Sequence, residues 1–184
     1  VVEETLDSLL ATDTVFSKED AAALAAAMSG AFRRIEPLLL RRGRGGCVRR
    51  CHGDLHLRNI TLLDGVPTPF DAIEFDESIA TIDILYDLAF LLMDLWEKEL
   101  PAQANLVLNR YLWGAPDLDR ELQGLAALPL FMSLRAAVRA KVAALRLGEV
   151  DAAPDDVSEA RRYLDVARSF LMPSPPRLVA VGGL

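Results

Sequence analysis

The stretch His52-Gly-Asp-Leu-His-Leu-Arg-Asn-Ile-Thr-Leu-Leu-Asp-Gly-Val66 decides how the middle of this chain folds. Its Asp64-Gly65 pair lies between two apolar runs. That pattern is typical of a β-hairpin with a type I′ turn, because both turn positions need a positive φ. A two-residue turn also sets the register. We therefore expect Asn59 to face Phe70, with Asp71 beside this pair at the open end of the hairpin.

Three polar side chains of this region have the chemistry of phosphoryl transfer. Asn59 and Asp71 would place two oxygen ligands at one spot, which suits Mg²⁺ because it also takes phosphate oxygens and water. Asp54 lies in the loop before the hairpin, where it can accept a proton from a hydroxyl nucleophile. An Asp base, an Asn five residues later and a second Asp recur in phosphoryl-transfer enzymes. A carboxylate base suffices there, because positioning and charge neutralisation supply most of the catalysis.

These motifs resemble those of the aminoglycoside phosphotransferase and choline kinase-like family. The resemblance rests on His52–Asn59, on Phe70-Asp71 and on Tyr86-Asp-Leu-Ala89, and it covers roughly residues 20–170. It implies a protein-kinase-like fold. This chain would be the larger C-terminal lobe of that fold, and the N-terminal lobe would be absent.

The resemblance also implies roles for five side chains. Asp54 is the expected catalytic base, and Asn59 and Asp71 are the expected ligands of Mg²⁺. His52 is expected to support the catalytic loop, and Asp87 to anchor that loop from the following helix. ATP would be the phosphoryl donor, and a hydroxyl group of a small molecule would be the acceptor.

Two positions depart from the family's pattern. Arg58 stands directly before Asn59, where the family often has Gly. Downstream, the run Phe75-Asp76-Glu77 differs from the commoner Asp-Phe-Gly-like ending, which leaves Glu74 open as the nearer metal ligand, although spacing favours Asp71. The acidic side chains of residues 74–77 are either an attractive patch for a cationic substrate or a solvated loop before a helix.

Two cysteines and two histidines raise a further alternative, a zinc site in a metal-dependent hydrolase or zinc module. These residues are Cys47, Cys51, His52 and His56. Their spacing lacks a Cys-x2-Cys knuckle, so free buried thiols are the preferred interpretation. For His56, an exposed loop position and a contact with the nucleotide both stay open.

The rest of the chain is predicted to be mainly α-helical, with the hairpin embedded in it. Ser17 and Asp20 have capping-box spacing and begin a helix whose apolar side chains recur every three or four residues from Leu24 to Leu39. A loop is expected at 41–46 and a short strand at 47–51, and the helical period returns after Ser78. The other expected helices cover residues 3–16, 102–113, 117–125, 129–147 and 157–171. Trp96 and Trp113 are expected in the core.

Composition excludes several classes of protein. The 184 residues carry 20 Lys and Arg against 27 Asp and Glu, a net charge of −7, and such a chain is a poor general ligand for nucleic acid. No apolar run is long enough to span a bilayer, and two cysteines cannot build a disulfide framework. We therefore expect a cytoplasmic protein that uses neither membrane nor nucleic acid as its partner.

Two units are expected along the chain: a kinase-like lobe at residues 1–171, and a linker with the start of another domain at 172–184. The segment Arg177-Leu-Val-Ala-Val-Gly-Gly-Leu184 resembles the first strand of a P-loop domain, cut where the Walker loop begins. Some bacterial bifunctional proteins join the two domains. An attached P-loop ATPase domain is therefore an expected partner in the full-length protein.

Two functions remain after this comparison of motifs. The first is an ATP-dependent phosphotransferase of the aminoglycoside phosphotransferase type, which this fragment would contain only in part. The second is a non-catalytic kinase-like module that binds a ligand or partner and regulates the attached P-loop domain. The acceptor substrate does not follow from the sequence, because fold alone does not fix function.

Overall fold

The computed structural model describes residues 16–146 and 154–172, and within them the chain is mainly helical with a small antiparallel β part. This agrees with the prediction of a mainly α-helical chain that contains a small β-hairpin. The predicted helix at 3–16 and the predicted linker and strand at 172–184 lie outside the described residues, apart from Phe16 and Met172. The elements in chain order are α1 (Lys18–Arg44), β1 (Val48–Arg50), a 3₁₀ turn (Leu57–Asn59), β2 (Ile60–Leu63), β3 (Val66–Pro69), α2 (Glu77–Ala80), β4 (Thr81–Asp83), α3 (Ile84–Glu97), α4 (Pro101–Gly114), α5 (Leu118–Gly124), a second 3₁₀ turn (Leu125–Ala127), α6 (Leu128–Arg146) and α7 (Pro154–Leu171).

Strands β2 and β3 form the hairpin that the Asp-Gly pair predicts. Asp64 and Gly65 have φ values of 52° and 79°, so both turn positions are left-handed, as a type I′ turn requires. Ile60 lies opposite Pro69, and the N–H of Phe70 donates to the carbonyl oxygen of Asn59 at 3.0 Å. The predicted register is therefore confirmed.

Strands β1 and β4 form a second antiparallel pair, in which Arg49 lies opposite Ile82. The sequence predicts a strand at β1 but a return to helix after Ser78, so the prediction misses β4. The reason is tertiary, because the backbone groups of a short strand need a partner. The ladder continues beyond β1, where the N–H of Cys51 donates to Ala80 at 2.8 Å and the N–H of Ile84 donates to Cys47 at 3.0 Å.

Helix α1 begins where the sequence places its cap and ends later than predicted. The Oγ of Ser17 accepts a hydrogen bond of 3.0 Å from the N–H of Asp20. The helix then continues through Pro37 to Arg44, so the predicted loop at 41–46 is mostly helical. Arg42 explains the extension, since its guanidinium is buried against acidic side chains of later elements.

Helix α3 lies in the core and packs against α4 and α6, while α6 packs against α7. Small buried residues let α6 and α7 approach closely, among them Ala136, Ala140, Ala160 and Ala167. The prediction that both tryptophans are core residues is wrong: Trp96 is half-exposed and Trp113 is 89% exposed. Within 16–146 and 154–172, the helices are too short or too polar to cross a bilayer.

Candidate active site

The loop between β1 and β2 is fixed at its start by Asp87 of α3. The Oδ2 atom of Asp87 accepts a hydrogen bond of 3.1 Å from the N–H of His52, and its Oδ1 atom accepts one of 2.9 Å from the N–H of Gly53. Asp87 is buried, so these backbone donors stabilise its charge. Asp87 thus has the contacts that a loop anchor needs.

A second buried carboxylate of α3, Asp94, holds the far part of the same loop. Its Oδ2 accepts a hydrogen bond of 2.9 Å from the N–H of Leu57. Asp87 and Asp94 are seven residues apart, two helical turns, and therefore lie on one face of α3. Sequence reasoning missed Asp94, although an acid two turns from Asp87 in an apolar helix was a usable signal.

Gly53 brings the segment after β3 against the loop. Its φ is +84°, and a Cβ atom at this position would lie 2.9 Å from Cδ1 of Ile73. The N–H of Ile73 donates to the carbonyl oxygen of His52 at 2.9 Å. Only glycine fits both the left-handed backbone and the close approach. As a result the segment that carries Asp71 lies next to the loop that carries Asp54.

Asp54 and Asn59 are bound to each other. The Nδ2 of Asn59 donates to Asp54 twice, to its main-chain carbonyl oxygen at 3.0 Å and to Oδ2 at 3.1 Å. Because the amide nitrogen of Asn59 is used in this way, its side-chain oxygen is the atom that could bind a cation. The half-buried Asp54 keeps its carboxylate at the pocket wall.

Asp71 has a left-handed backbone conformation, with φ of +61°. A residue other than glycine seldom takes this conformation, and such residues concentrate at functional sites. Asp54, Asp71, Glu74 and Phe75 are among the residues lining an open pocket of about 630 Å³. The pocket therefore unites Asp54 with Asp71. Glu74 lines the pocket as well, so only the spacing in the sequence favours Asp71 over Glu74 as the metal ligand.

His52 links the start of the loop to the end of the hairpin. Its Nε2 forms a hydrogen bond of 2.9 Å with the carbonyl oxygen of Phe70, the residue before Asp71. The ring nitrogen donates, because a carbonyl oxygen only accepts. This contact fits the predicted supporting role of His52.

His56 is buried, which excludes one of the two alternatives left open, the exposed loop position. Its ring packs edge-on against Phe90 of α3 at 5.2 Å between centroids. Its Nε2 lies 3.3 Å from Oδ2 of Asp54. Burial lowers the pKa of His56 below its ordinary value, while the charge of Asp54 opposes this effect. Burial therefore favours the neutral form of the ring.

Arg135 of α6 lies next to Asp87, the residue that anchors the loop. Its guanidinium lies over the rings of Tyr86 and Phe90, at 4.0 and 4.7 Å from their centroids. Its Nη2 is 3.8 Å from Oδ1 of Asp87. A buried cation held by two aromatic faces beside a buried carboxylate offsets part of the cost of burying both charges.

Two members of the acidic segment 74–77 have structural partners. Asp76 caps α2, accepting from the N–H of Ser78 at 2.9 Å. Glu77 forms an exposed ion pair of 3.0 Å with Arg50. These contacts favour the interpretation of a solvated loop before a helix, whereas Glu74 faces the pocket.

Both cysteines are free thiols; Cys47 is buried, as the sequence predicts, whereas Cys51 is only half-buried. Burial raises the pKa of both, that of Cys51 to about 11, and the Sγ of Cys51 donates to the carbonyl oxygen of Ile82 at 3.6 Å. Among the residues that the structure describes, no cluster of three or more His, Cys, Asp or Glu side chains could hold a metal ion. A zinc site at Cys47 and Cys51 therefore has no geometric support in this part of the chain.

Comparison with known proteins gives relatives without an assigned function. The chain is 32% identical over 148 residues to the uncharacterized proteins Rv2004c and MT2060 of Mycobacterium tuberculosis and Mb2027c of Mycobacterium bovis. The match covers 80% of this chain but only 28% of each relative. No family model matches the chain, and no solved structure matches it.

Proposed function

We propose that this chain is the catalytic lobe of an ATP-dependent phosphotransferase that acts on a hydroxyl group of a small molecule. One observation carries the proposal: Asp54 and Asp71 line the same pocket, with Asn59 bound directly to Asp54. The proposal includes the protein-kinase-like architecture, of which this chain is the C-terminal lobe. The N-terminal lobe and a P-loop ATPase domain would belong to the longer protein.

In this proposal Asp54 is the base. The acceptor oxygen attacks the γ-phosphorus of ATP, a new O–P bond forms, and the bond from the γ-phosphorus to the β,γ-bridging oxygen breaks to release ADP. The proton of the acceptor hydroxyl passes to the carboxylate of Asp54. A carboxylate is a sufficient base because most of the barrier is lowered by positioning and by charge neutralisation.

Asp71 at the pocket and Asn59, which is bound to Asp54 but does not line the pocket, offer donors that suit Mg²⁺. A carboxylate from Asp71 and the amide oxygen of Asn59 are hard oxygen ligands, and a pair of such ligands leaves room for phosphate oxygens and water. The amide nitrogen of Asn59 already binds Asp54, which leaves the oxygen for this task. When bound, the ion would neutralise phosphate charge.

The loop geometry supports catalysis by holding Asp54 still. Asp87 binds the start of the loop and Asp94 binds its end, so both sides of Asp54 are attached to α3. Fixed orientation matters because a misplacement of about 1 Å can cost a hundredfold in rate. Anchoring of this kind is what a general base requires.

A binding experiment tests the proposal before the acceptor is known. The sample is the longer protein with its N-terminal lobe, and with the P-loop site disabled by mutation. ATP is titrated calorimetrically with and without Mg²⁺, for the wild type and for Asp71→Ala. The control is Asp119→Ala, which removes an exposed carboxylate from α5. We expect Mg²⁺-dependent binding that Asp71→Ala abolishes and the control retains.

The reaction itself is tested with labelled ATP and a panel of hydroxyl acceptors. Loss of a general base costs roughly a hundredfold to ten-thousandfold in rate. Asp54→Asn should therefore bind Mg²⁺ and ATP but lose transfer by that factor. Wild-type transfer in Asp54→Asn would contradict the proposal. A folded protein that binds no ATP would instead favour the regulatory module.

A further inference from the structure

The carboxylate of Asp54 uses only one of its oxygens in the contacts made by the described residues. Asn59 donates to Oδ2 at 3.1 Å, and Nε2 of His56 lies 3.3 Å from the same atom. Both nitrogen atoms lie beside the same oxygen, so the two oxygen atoms of the carboxylate have different surroundings. The other oxygen, Oδ1, is then the one available to a hydroxyl group in the pocket.

His56 is held so that its ring cannot turn freely. Only 7% of the residue is exposed, and its ring rests on the ring of Phe90. The next residue, Leu57, is tied to Asp94 through its N–H. Asp54, Asp94, Arg58 and Arg139 act on the ring, two charges of each sign, and burial outweighs them, so the pKa of His56 is lowered.

The tautomer of this neutral ring follows from its surroundings. The Nδ1 atom of His56 is buried and has no hydrogen-bond partner among the described residues. A proton on Nδ1 would therefore be a buried donor without an acceptor, and it would leave the lone pair of Nε2 facing a carboxylate oxygen. A proton on Nε2 avoids both costs, because Nε2 lies 3.3 Å from Oδ2 of Asp54.

We propose that His56 is a positioning residue for the base: its Nε2–H donates to Oδ2 of Asp54 and so leaves Oδ1 to take the proton of the acceptor hydroxyl. The catalytic part of this inference, that Asp54 acts as a base, rests on the proposed function. The hydrogen bond between His56 and Asp54 does not. His56 touches neither substrate nor phosphate in this proposal and acts through Asp54.

The hydrogen bond is tested by NMR on the 184-residue chain, which has only two histidines. Long-range ¹H–¹⁵N spectra distinguish the two tautomers, and His52→Gln assigns the remaining ring to His56. We expect the proton on Nε2, with a resonance that moves upfield in Asp54→Ala. A proton on Nδ1, or an Nε2–H unaffected by Asp54→Ala, would overturn the proposal. This result does not depend on whether the protein is a kinase.

The catalytic consequence is tested in the longer protein by two substitutions of His56. His56→Gln keeps an N–H donor, whereas His56→Leu keeps the bulk and the contact with Phe90 but removes the donor. We expect His56→Leu to lose at least tenfold in kcat with unchanged KM for ATP, and His56→Gln to recover most of the loss. Melting temperatures of both variants separate this effect from misfolding.

Equal activity of His56→Leu and His56→Gln would overturn the positioning role, whether both variants are as active as the wild type or both are impaired. If His56→Leu does not fold, the tautomer of the wild-type ring still decides the question. Absence of ATP binding in the wild type would remove the proposed function, yet it would leave the His56–Asp54 hydrogen bond to be judged from the spectra. The two failures are therefore distinguishable.

Discussion

The carboxylate of Asp94 accepts a hydrogen bond of 2.9 Å from the main-chain N–H of Leu57, and the aspartate is buried in α3. This single bond joins the core of the domain to the loop that carries Asp54. Together with Asp87, two turns earlier, it makes α3 a rigid platform for the whole loop.

Replacing Asp94 should loosen the loop selectively. Asp94→Leu leaves the N–H of Leu57 without its acceptor, which costs about 1–3 kcal/mol of unfolding free energy. Asp94→Asn retains a side-chain acceptor and should lose less. Urea denaturation measures the stability, and amide hydrogen exchange at Leu57 measures the local opening. Unchanged exchange at Leu57 in Asp94→Leu would show that the bond does not hold the loop.

Gly53 should be far less tolerant of alanine than Gly65. Both have a positive φ, but a Cβ at Gly53 would meet Ile73 at 2.9 Å, whereas nothing lies within 4 Å of a Cβ at Gly65. The left-handed backbone costs about 1–2 kcal/mol in either variant, and the steric clash adds to Gly53→Ala alone. Denaturation curves give the free energy of unfolding of both variants. Adding Ile73→Ala to Gly53→Ala should recover part of the difference between them. Equal destabilisation of both variants would rule out the close approach.

The buried cation Arg42 should matter more than the exposed Arg50. Arg42 binds both oxygens of Asp83, at 2.7 and 2.8 Å, and Oε2 of Glu121 at 3.1 Å. Arg42→Met leaves the largely buried Asp83 without its cation and Glu121 with Arg120 alone, and it should cost about 3–5 kcal/mol. Arg50→Met breaks only the exposed pair with Glu77 and should cost at most about 1 kcal/mol. Similar unfolding free energies for the two variants would contradict this ranking.

Glu97 should make the domain sensitive to acid. Burial alone would raise its pKa, but hydrogen bonds and charges from Lys98 and Arg162 together hold the pKa of this carboxyl below its ordinary value of 4.5. Because the folded state lowers this pKa, its contribution is fully present above pH 4.5 and is lost as the pH falls through the lowered value. Between pH 7 and pH 3, the free energy of unfolding measured by denaturation should therefore fall less in Glu97→Gln than in the wild type. An identical pH profile in the variant would exclude this carboxyl as a cause.

Local chemistry made several features predictable from the sequence alone. The Asp64-Gly65 turn sets the hairpin register through two residues that accept positive φ, and the cap at Ser17 needs only Asp20 three residues away. The expected positions of Asn59 and Asp71 at the open end of the hairpin followed from that register. Each of these features depends on neighbours in sequence, so no knowledge of the distant chain was needed.

Burial in three dimensions decided the rest. Three features join residues that are two to dozens of positions apart. They are the pairing of β1 with β4, the contact of Asp94 with Leu57, and the contact of the buried His56 with Asp54. Periodicity shows which residues of a helix share a face, but not which loop will lie on that face. Packing of α3 against α6 makes this choice, because it decides which polar groups lose water and must find partners inside the protein. The sequence by itself therefore determined the motif and its turn, and only the tertiary structure decided how the loop that carries Asp54 is held.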